Sequence, residues 1–424
     1  MLSESFNEKI ARLFGNGKFA PLTVTFQVTE DCNLCCTYCY ETHKTHNRMT
    51  FDIAKTFIDG LLSGKYGNYT DGKDSVTFEF IGGEPFLEID LIDQITDYLI
   101  SQMIKLHHPW ATRFRLNMTS NGTLYFDPRV QRYLEKNRNN LSVCITVDGN
   151  KELHDTCRLD HNGQGSYDRA IKALEHYRDV YKGFTTSKVT LSPYNIDKAY
   201  SAIRDMYEFG YDDVNWNCVY EEGWNAEHAK SYYYQMKQLS DYLIETDQVL
   251  RYTPMELNPV FGHPMSPEDN QNWCGGIGSM LAVDYKGDLF PCIRYMESSL
   301  NGEQEPYTIG DIDSGITNVK RIAEMKAINR RSESTDEWFN CPIARGCAWC
   351  SAFNYQVYGT PDKRTTFHCI MAKARSLFLC YLWNTYYRKT GSPRRYKLDC
   401  PKEWALEIIN EEEYDMLQKL AGGD

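Results

Sequence analysis

Three cysteines near the start of the chain have a spacing that suits an iron–sulfur cluster. Cys32, Cys36 and Cys39 stand in a C-x₃-C-x₂-C arrangement, within the segment TEDCNLCCTYCY, directly after a predicted strand. Three thiolates on one loop can bind three irons of a [4Fe–4S] cubane and leave the fourth iron open to a chelating cosubstrate. A zinc loop is the alternative, but zinc usually takes four ligands with paired spacings. Cys35 has the wrong spacing, and we treat it as a bystander.

A second group of cysteines lies in the C-terminal half of the chain. It comprises Cys274, Cys292, Cys341, Cys347, Cys350 and Cys369. The chain has fifteen cysteines, a number that would suit a disulfide framework in a small secreted protein. At 424 residues and with no apolar signal segment at its start, this chain instead predicts metal or cluster ligands. A single cluster or a structural zinc remains the alternative to two clusters in this half.

Glycine-rich and polar motifs follow three further predicted strands. These motifs are Gly82-Gly83-Glu84-Pro85, Ser120-Asn121-Gly122, and Val147-Asp148-Gly149 with His154, Asp155 and Arg158 shortly after. Adjacent glycines let the backbone approach a ligand closely. A guanidinium is suited to bidentate binding of a carboxylate. We expect His154 and Asp155 to be structural rather than catalytic.

A repeated strand–helix pattern must position these motifs. Short β-branched or aromatic runs predict strands at Thr23–Thr29, Ser75–Ile81, Arg113–Thr119, Val143–Val147, Lys188–Leu191 and Val214–Val219. Amphipathic stretches predict helices between them, for example at Phe51–Leu62, Leu91–Leu106, Tyr167–Val180 and Ser231–Asp247. Six such units predict an α/β fold with a partial (β/α)₆ TIM-like barrel. Chemistry in such barrels gathers at the carboxyl ends of the strands, where the motifs fall.

The pattern changes after about residue 250. Pro254, Pro259, Pro264 and Pro267 indicate a linker, after which cysteine, glycine and aromatic residues dominate up to Cys369. Gly287 predicts the turn of a hairpin between Leu281–Asp284 and Leu289–Phe290, and a helix is predicted at Ile370–Tyr387. The predicted division is therefore an N-terminal extension (1–21), a barrel (22–250), a linker (251–272), a small cysteine-rich domain (273–390) and a tail (391–424).

The first cysteine motif, in its place after the first strand, resembles that of the radical S-adenosylmethionine (SAM) superfamily. The resemblance implies that Cys32, Cys36 and Cys39 hold a [4Fe–4S] cluster that cleaves SAM reductively, with Tyr38 as the aromatic residue usual before the third cysteine. It implies that Gly82, Gly83, Glu84 and Pro85 meet the amino group of SAM. It also implies that Ser120 and Asn121 contact its ribose and carboxylate. Asp148 and Arg158 fit a D-G…H-D-x-x-R pattern in which the arginine pairs with the SAM carboxylate.

The second cysteine group resembles the SPASM extension, which carries auxiliary [4Fe–4S] clusters. The interleaved ligation of that extension implies that Cys274, Cys292 and Cys350 hold one cluster and Cys341, Cys347 and Cys369 another. The sequence departs from the full pattern, because Trp338 replaces one expected cysteine and only six are found. One cluster could therefore have an open iron or recruit Cys380, Cys400 or a non-cysteine ligand.

The resemblance implies a 5′-deoxyadenosyl radical that abstracts hydrogen from a ribosomally made precursor peptide. The segments WCGGIGSMLAVDYKGDLFPCIRYMESS and GCAWCSAFNYQ are similar to those of maturases that act on cysteine-repeat precursors. The implied product is a cross-link, foremost a thioether between a cysteine sulfur and a carbon, with carbon–carbon or carbon–oxygen bonds as alternatives. A flavodoxin or ferredoxin would supply electrons.

Two other functions stay open. Anaerobic sulfatase maturases, which form formylglycine, resemble this chain but typically place an aspartate soon after the cysteine that matches Cys292. Here Ile293-Arg294-Tyr295 occupies that stretch, and an arginine cannot accept the proton. Arg294 could bind a substrate carboxylate or form an ordinary ion pair. A non-catalytic iron–sulfur scaffold or electron carrier would not need the glycine and arginine motifs.

Composition limits the partners and the compartment. The net charge of −12 argues against binding a nucleic-acid backbone. No run of about 20 apolar residues predicts a membrane span, so we expect a cytoplasmic protein. About 21 residues precede the first strand, too few for an independent leader-recognition domain. A leader would then bind the barrel, the tail or a separate protein.

Overall fold

The computed structural model of the chain describes residues 21–182, 185–220, 223–250, 255–262, 268, 270, 274–343, 347, 350–394 and 398–422. Almost all of the predicted N-terminal extension and much of the predicted linker, including Pro254, Pro264 and Pro267, lie outside these residues. The same holds for Gly346 and Trp349 of the segment GCAWC. The predicted domain limits therefore stay a prediction.

Six strands lie close to the predicted positions. They are β1 (Leu22–Thr29), β2 (Val76–Gly82), β3 (Phe114–Ser120), β4 (Leu141–Ile145), β5 (Thr186–Leu191) and β6 (Asp213–Cys218). β1 to β4 pair in parallel in sequence order, and β5 pairs in parallel with β6 as a separate two-stranded sheet. The predicted α/β class with a parallel sheet is confirmed, and the arrangement is that of a partial barrel. β4 ends at Ile145, two residues before its predicted end, so Asp148 lies beyond the strand.

The helices alternate with these strands and continue after β6. They are α1 (Phe51–Leu62), α2 (Gly67–Thr70), α3 (Ile89–Lys105), α4 (Pro128–Asn137), α5 (Lys151–Cys157), α6 (Tyr167–Tyr181), α7 (Ala199–Phe209), α8 (Ala226–Glu245), α9 (Val319–Ala327), α10 (Asp336–Phe339), α11 (Ser351–Tyr358), α12 (Cys369–Thr390), α13 (Lys402–Ala405) and α14 (Glu411–Ala421). Local sequence sets their starts: the Thr50 side chain accepts a hydrogen bond from the Ile53 N–H at the start of α1. None of the helices in the described part of the chain is long and apolar enough to cross a membrane.

The predicted hairpin continues the barrel sheet. It consists of β7 (Met280–Val283) and β8 (Asp288–Phe290), and Gly287 has a φ of 96° in its turn. β7 pairs in parallel with β1, and β9 (Gly310–Asp311) and β10 (Gly315–Ile316) extend the sheet beyond β8. The strand order is β10-β9-β8-β7-β1-β2-β3-β4. The cysteine-rich segment thus begins as an extension of the sheet that carries the first cysteine motif.

The strands of the barrel are apolar on one face and polar on the other. In β1, Leu22, Val24, Phe26 and Val28 belong to the main hydrophobic core. Thr25 and Gln27 alternate with them, and the neighbouring strands add Glu79 and Asn117 to the same polar face. A closed TIM barrel fills its interior with branched apolar side chains. The polar inner face here is suited to a hydrophilic ligand.

Candidate active site

The first cysteine motif lies on the loop between β1 and α1, which we call the cluster loop (residues 30–48). Cys32 is buried, and Cys36 and Cys39 are half-buried. The Cys36 thiol lies within electrostatic range of both other thiols. Burial raises the pKa of Cys32 to about 12 and also raises that of Cys36. The raised pKa values mean that the free thiols stay protonated. A coordinated metal reverses this preference, because a ligating thiol is deprotonated outright.

Lys44 is a cation at this site that the sequence motifs did not indicate. Burial by itself would lower the pKa of Lys44, but the thiols of Cys39 and Cys32 and the carboxyl of Glu41 raise it overall. Its ammonium therefore lies within range of the cluster-loop thiols. A cation in this place compensates the negative charge of clustered thiolates. No spacing signal precedes it, since a lysine five residues after a cysteine is ordinary in sequence.

Main-chain hydrogen bonds hold the cluster loop against the rest of the barrel. The Cys35 N–H donates to the Leu159 carbonyl (2.8 Å) and the Thr37 N–H to the Cys157 carbonyl (3.0 Å). The exposed Cys35 thiol donates to the Asp160 carbonyl (3.3 Å). The chain that follows β4 therefore fixes the backbone of the cysteine motif.

Gly82 and Gly83 lie directly against the start of the cluster loop. A Cβ atom at Gly83 would be 2.4 Å from the Asp31 carbonyl oxygen and 2.7 Å from the Cys32 Cβ. A Cβ atom at Gly82 would be 2.3 Å from the Thr29 carbonyl oxygen. Only glycine permits this approach. Because the two backbone segments lie this close, the Glu84 N–H can donate a hydrogen bond to the Asp31 carbonyl (2.9 Å).

Glu84 joins the carboxyl ends of β2 and β3. Its buried carboxylate accepts hydrogen bonds from the Ser120 hydroxyl (2.8 Å), the Asn121 N–H (2.8 Å) and the Phe86 N–H (3.0 Å). Burial raises its pKa, and these donors act against that shift. Pro85 is buried at the start of the 3₁₀ turn Pro85–Glu88. The second and third motifs thus form one network.

Asn33 connects this network back to the cluster loop. The Asn121 side-chain amide donates to the Asn33 side-chain oxygen (2.8 Å), and the Asn33 amide donates to the Thr123 hydroxyl (2.8 Å). No feature of the sequence singled out Asn33, although it lies inside the cysteine motif. Its neighbour Cys32 is therefore held through side-chain as well as main-chain contacts.

Arg158 and Asp148 form a buried ion pair at the end of β4. The Arg158 Nε lies 2.6 Å from the Asp148 Oδ2, which also accepts a hydrogen bond from the Tyr38 hydroxyl. The Arg158 Nη1 lies 4.0 Å from the Cys36 Sγ. Burial raises the pKa of Asp148, and Arg158 acts against that rise. Tyr38 and Asp148 therefore orient the guanidinium beside the cluster loop.

His154 supports this arrangement without facing the cysteines directly. Its Nδ1 accepts from the Asp148 N–H (3.1 Å), and its Nε2 lies 3.0 Å from the Ser166 hydroxyl, which donates to the Arg158 carbonyl (2.8 Å). Burial, together with Arg158, lowers the pKa of His154 to about 3. A neutral imidazole that accepts at Nδ1 and donates at Nε2 satisfies every contact. This geometry agrees with the expected structural role of His154.

The second cysteine group divides into two sets of three in space. Cys274 and Cys350 lie within electrostatic range of the buried Cys292, and we call these three the first auxiliary trio. The Cys274 Sγ lies 3.0 Å from the Ser351 hydroxyl. Cys341 and Cys369 lie within electrostatic range of Cys347, and we call these three the second auxiliary trio. The grouping is the one that the family resemblance implies.

The trios do not have the geometry of single-ion sites. Among the described residues, no three His, Cys, Asp or Glu side chains converge as the ligands of one metal ion would. Zinc would hold its sulfur ligands about 2.3 Å from a single centre. Cluster thiolates bind different irons and stay further apart. All fifteen cysteines belong to the described residues, and no disulfide joins any of them.

Cys380 and Cys400 do not belong to either trio. Their sulfurs lie 3.5 Å apart, and the Cys400 Sγ also contacts the Ser376 hydroxyl (3.3 Å). Cys380 follows Cys369 by eleven residues on α12, which places it about 16 Å further along the helix axis. This separation argues against Cys380 or Cys400 as a further ligand of a cluster held by Cys369, and recruitment of either one by an auxiliary cluster stays a prediction.

The chain is similar to known proteins in sequence and in structure. No family model matches the chain. Mycofactocin maturase MftC of Mycolicibacterium smegmatis is 24% identical over 358 residues, covering 82% of this chain and 79% of that protein. A cysteine-type anaerobic sulfatase-maturating enzyme of Clostridium novyi is 30% identical over 176 residues, which cover 41% of this chain and 45% of that enzyme.

Two solved structures share the fold. Native anSMEcpe with bound AdoMet and Cp18Cys peptide superposes with a TM-score of 0.63 at 16% identity, covering 87% of this chain and 100% of that chain. Streptococcus suis SuiB bound to precursor peptide SuiA gives a TM-score of 0.55 at 16% identity, covering 82% and 75%. In sequence and in fold, the chain is thus similar to radical SAM maturases of the SPASM type.

The residues of the enzyme suit the cofactor that this class uses. The three thiols of the cluster loop provide a donor set for a cubane, and Lys44 and Arg158 lie close enough to balance its charge. The carboxyl ends of β2, β3 and β4 meet beside that loop through Glu84, Asn121 and Asp148. The contacts of these side chains with SAM stay a prediction from the family pattern.

Proposed function

We propose that the enzyme is a peptide maturase that installs a cross-link, foremost a cysteine-to-carbon thioether, in a ribosomally made precursor peptide. The observation that carries the proposal is the position of the first auxiliary trio next to the cluster loop. Arg294 lies within electrostatic range of Cys292 of the trio and over the ring of Tyr40 on the loop. The similarity to MftC over 82% of the chain and the fold shared with SuiB, which was solved with a precursor peptide, support it.

The proposal assigns roles to the residues of the site. Cys32, Cys36 and Cys39 hold the radical cluster, and Gly82, Gly83, Glu84, Pro85, Ser120, Asn121 and Arg158 form the SAM pocket, with Tyr38 and Asp148 orienting Arg158. When bound, the cluster and SAM supply a 5′-deoxyadenosyl radical. Cys274, Cys292 and Cys350 hold one auxiliary cluster, and Cys341, Cys347 and Cys369 hold a second.

The overall change of the peptide defines what the protein must do. The target carbon loses a hydrogen atom, the cysteine thiol loses a proton, and one electron leaves the peptide, for which an auxiliary cluster would be the acceptor. The protein must hold carbon and sulfur within bonding reach and exclude water while the radical exists. The polar inner face of the barrel suits a peptide main chain. A flavodoxin or ferredoxin as electron donor and a separate leader-recognition protein are part of the proposal.

Formylglycine formation is the second candidate. Its support is the 30% identity to the Clostridium novyi sulfatase-maturating enzyme and the fold shared with anSMEcpe. Arg294 stands two residues after Cys292, in a stretch where that chemistry requires a proton acceptor. A guanidinium stays protonated in proteins and cannot take up that proton.

One experiment separates the candidates. The enzyme is purified without oxygen, reconstituted with iron and sulfide, and incubated with SAM, reductant and cysteine-containing peptides encoded near its gene. We expect about twelve irons per chain, release of 5′-deoxyadenosine, and a peptide that has lost two hydrogens but kept its sulfur. A peptide in which oxygen has replaced a cysteine sulfur, or a serine product that reacts as an aldehyde, would establish the second candidate. Bound iron without deoxyadenosine would contradict both.

A further inference from the structure

Ser351 places a buried hydroxyl against a cysteine of the first auxiliary trio. It follows Cys350 directly at the start of α11, and its relative exposure is 4%. Its Oγ lies 3.0 Å from the Sγ of Cys274, which is 77 residues away in sequence. A single side chain therefore contacts one cysteine of this trio and adjoins another along the chain.

Coordination decides which of the two groups donates in this contact. A thiol and a hydroxyl can each act as the donor. In the ligand set proposed above, Cys274 is a thiolate, which has no proton and can only accept. The Ser351 hydroxyl must then donate an O–H···S hydrogen bond to it, and burial keeps water from competing for that contact. Hydrogen bonds to a charged acceptor are about twice as strong as neutral ones.

The other two sulfurs of the trio interact with main-chain donors. The Arg294 N–H acts on the Cys292 thiol, and the Phe353 N–H acts on the Cys350 thiol. Both donors belong to the backbone, so a change of side chain leaves them in place. Ser351, in contrast, brings a side-chain donor that a single substitution removes.

The second auxiliary trio lies in a different environment. The side-chain cations Lys373 and Arg364 lie within electrostatic range of its thiols, and Cys369 is exposed to solvent. The reduction potential of an iron–sulfur cluster depends on net charge, on hydrogen bonds to the sulfurs and on solvent exposure. Since different groups surround the two trios, a change at Ser351 should affect the potential at the first trio alone.

We propose that Ser351 is a positioning residue that raises the reduction potential of the cluster held by Cys274, Cys292 and Cys350, and so makes it the acceptor of the electron that leaves the peptide. As the carbon–sulfur bond forms, the peptide radical gives up one electron and the cysteine thiol gives up its proton. The proton passes to solvent, and the electron reduces this cluster. Reduction adds negative charge to the ligating sulfurs, which the Ser351 O–H stabilises. This inference rests on the proposed function, because it assigns the electron acceptor of that reaction.

The test measures the potential directly. Cys32, Cys36 and Cys39 are changed together to alanine, so that the reconstituted full-length chain holds auxiliary clusters alone, and these are titrated at controlled potentials under EPR. Ser351→Ala in this background should lower the ratio of reduced to oxidised cluster about tenfold for one of the two signals, which corresponds to about 59 mV for a one-electron couple. The other signal should not shift. Ser351→Thr keeps a hydroxyl and should restore most of the potential.

Ser376→Ala is the matched control. The Ser376 hydroxyl makes the same kind of contact with the Cys400 Sγ (3.3 Å), and Cys400 belongs to neither trio. This variant removes a buried serine–cysteine contact elsewhere in the cysteine-rich part. It should leave the signal that responds to Ser351→Ala unchanged.

A coupling assay connects the potential with the reaction. In the enzyme with an intact cluster loop, Ser351→Ala should still cleave SAM, because the cluster-loop thiols are unchanged. The yield of cross-linked peptide per deoxyadenosine released should fall, since the acceptor takes the electron less readily. Ser351→Thr should recover most of that yield.

Each outcome decides for or against the inference. Unchanged potentials in Ser351→Ala, or an equal shift in Ser376→Ala or Ser351→Thr, overturn it. Loss of iron from Ser351→Ala with a [3Fe–4S] signal would show that Ser351 ligates iron instead, and overturns it as well. Absence of deoxyadenosine release or of a cross-link with the wild-type enzyme is a separate result, which refutes the proposed function whatever the potentials.

Discussion

The two cysteine-bearing regions of the enzyme are stabilised in different ways. The cluster loop is bonded to the carboxyl ends of parallel strands by Asn33, Glu84 and the main chain of residues 157–159. The auxiliary trios draw their cysteines from separate elements, such as the 3₁₀ turn after Cys274 and the starts of α11 and α12. A small second core surrounds the first trio, and Cys292 is itself a member of it.

The two regions differ in how far their folding depends on bound metal. A loop that is bonded to a barrel keeps its place through contacts that need no cluster. A small core offers little burial, and proteins of this kind often take their folding free energy from metal ligation. We therefore expect loss of iron to affect chemistry in the first region and folding in the second.

The largest effect should come from removing the cluster-loop thiols. Changing Cys32, Cys36 and Cys39 together to alanine should reduce deoxyadenosine release by at least about a thousandfold, because no donor set remains for the radical cluster. About eight irons per chain should stay bound, and the melting temperature should change little. Cys35→Ala on the same loop serves as the control and should retain full activity. SAM cleavage by the triple variant would contradict the assignment.

A smaller effect is expected where the glycine contact is disturbed. Gly83→Ala forces a Cβ atom against the Asp31 carbonyl at 2.4 Å, so the cluster loop must shift. Since a shift of about 1 Å near the chemistry costs about a hundredfold in rate, deoxyadenosine release should fall by that order. Gly276→Ala, beside the first auxiliary trio, meets no atom closer than 3.5 Å and should be tolerated. Equal behaviour of the two variants would break the comparison.

The second region should respond through iron content and solubility. Cys347→Ala should lower the iron content by about four per chain and reduce the soluble yield, because ligation and folding are coupled in small metal-dependent domains. Peptide-independent SAM cleavage by the soluble fraction should persist. Iron analysis and deoxyadenosine assays of the same sample check both parts. An unchanged iron content would exclude Cys347 as a ligand.

The smallest effect concerns the buried histidine of the first region. His154 has a pKa of about 3 in the folded enzyme against an ordinary value of 6.5, so the unfolded chain binds the extra proton between these values. The stabilisation that comes from keeping His154 neutral is present above about pH 6.5 and is lost as the pH decreases through that window, by about 1.4 kcal/mol at about pH 5.5. His154→Gln should show a smaller stability loss than wild type between about pH 7.5 and 5.5 in denaturant titrations. An identical loss would show that His154 does not cause it.

Local patterns predicted much of the fold. The helix predicted at Phe51–Leu62 is observed with the same bounds, and six strands lie within two residues of their predicted starts. Amphipathic periodicity and capping residues are short-range properties, so a single sequence carries them. The parallel pairing of β7 with β1 was not predicted, because more than 250 residues separate these strands.

In the active site, too, short-range patterns indicated some residues and missed others. The spacing of Cys32, Cys36 and Cys39 and the glycine pair indicated the radical site, since cluster ligation and close backbone approach each demand particular residue types. Lys44, Asn33 and Ser166 were missed, because an isolated lysine, asparagine or serine has no spacing that distinguishes it from a surface residue. The proximity of Lys44 to the cysteine thiols, and the hydrogen bonds of Asn33 with Asn121 and of Ser166 with Arg158, exist only in the folded chain.

The sequence by itself determined the type of chemistry: thiol ligands at cluster spacing, glycines for close approach, and an arginine near the end of the fourth strand. Only the tertiary structure brought the cysteines of each trio together in space and decided that Arg294 lies over Tyr40 between the cluster loop and the first auxiliary trio. The physical reason is range. Ligand types and turns are encoded within a few residues, whereas a shared electrostatic environment requires segments hundreds of residues apart to be packed together.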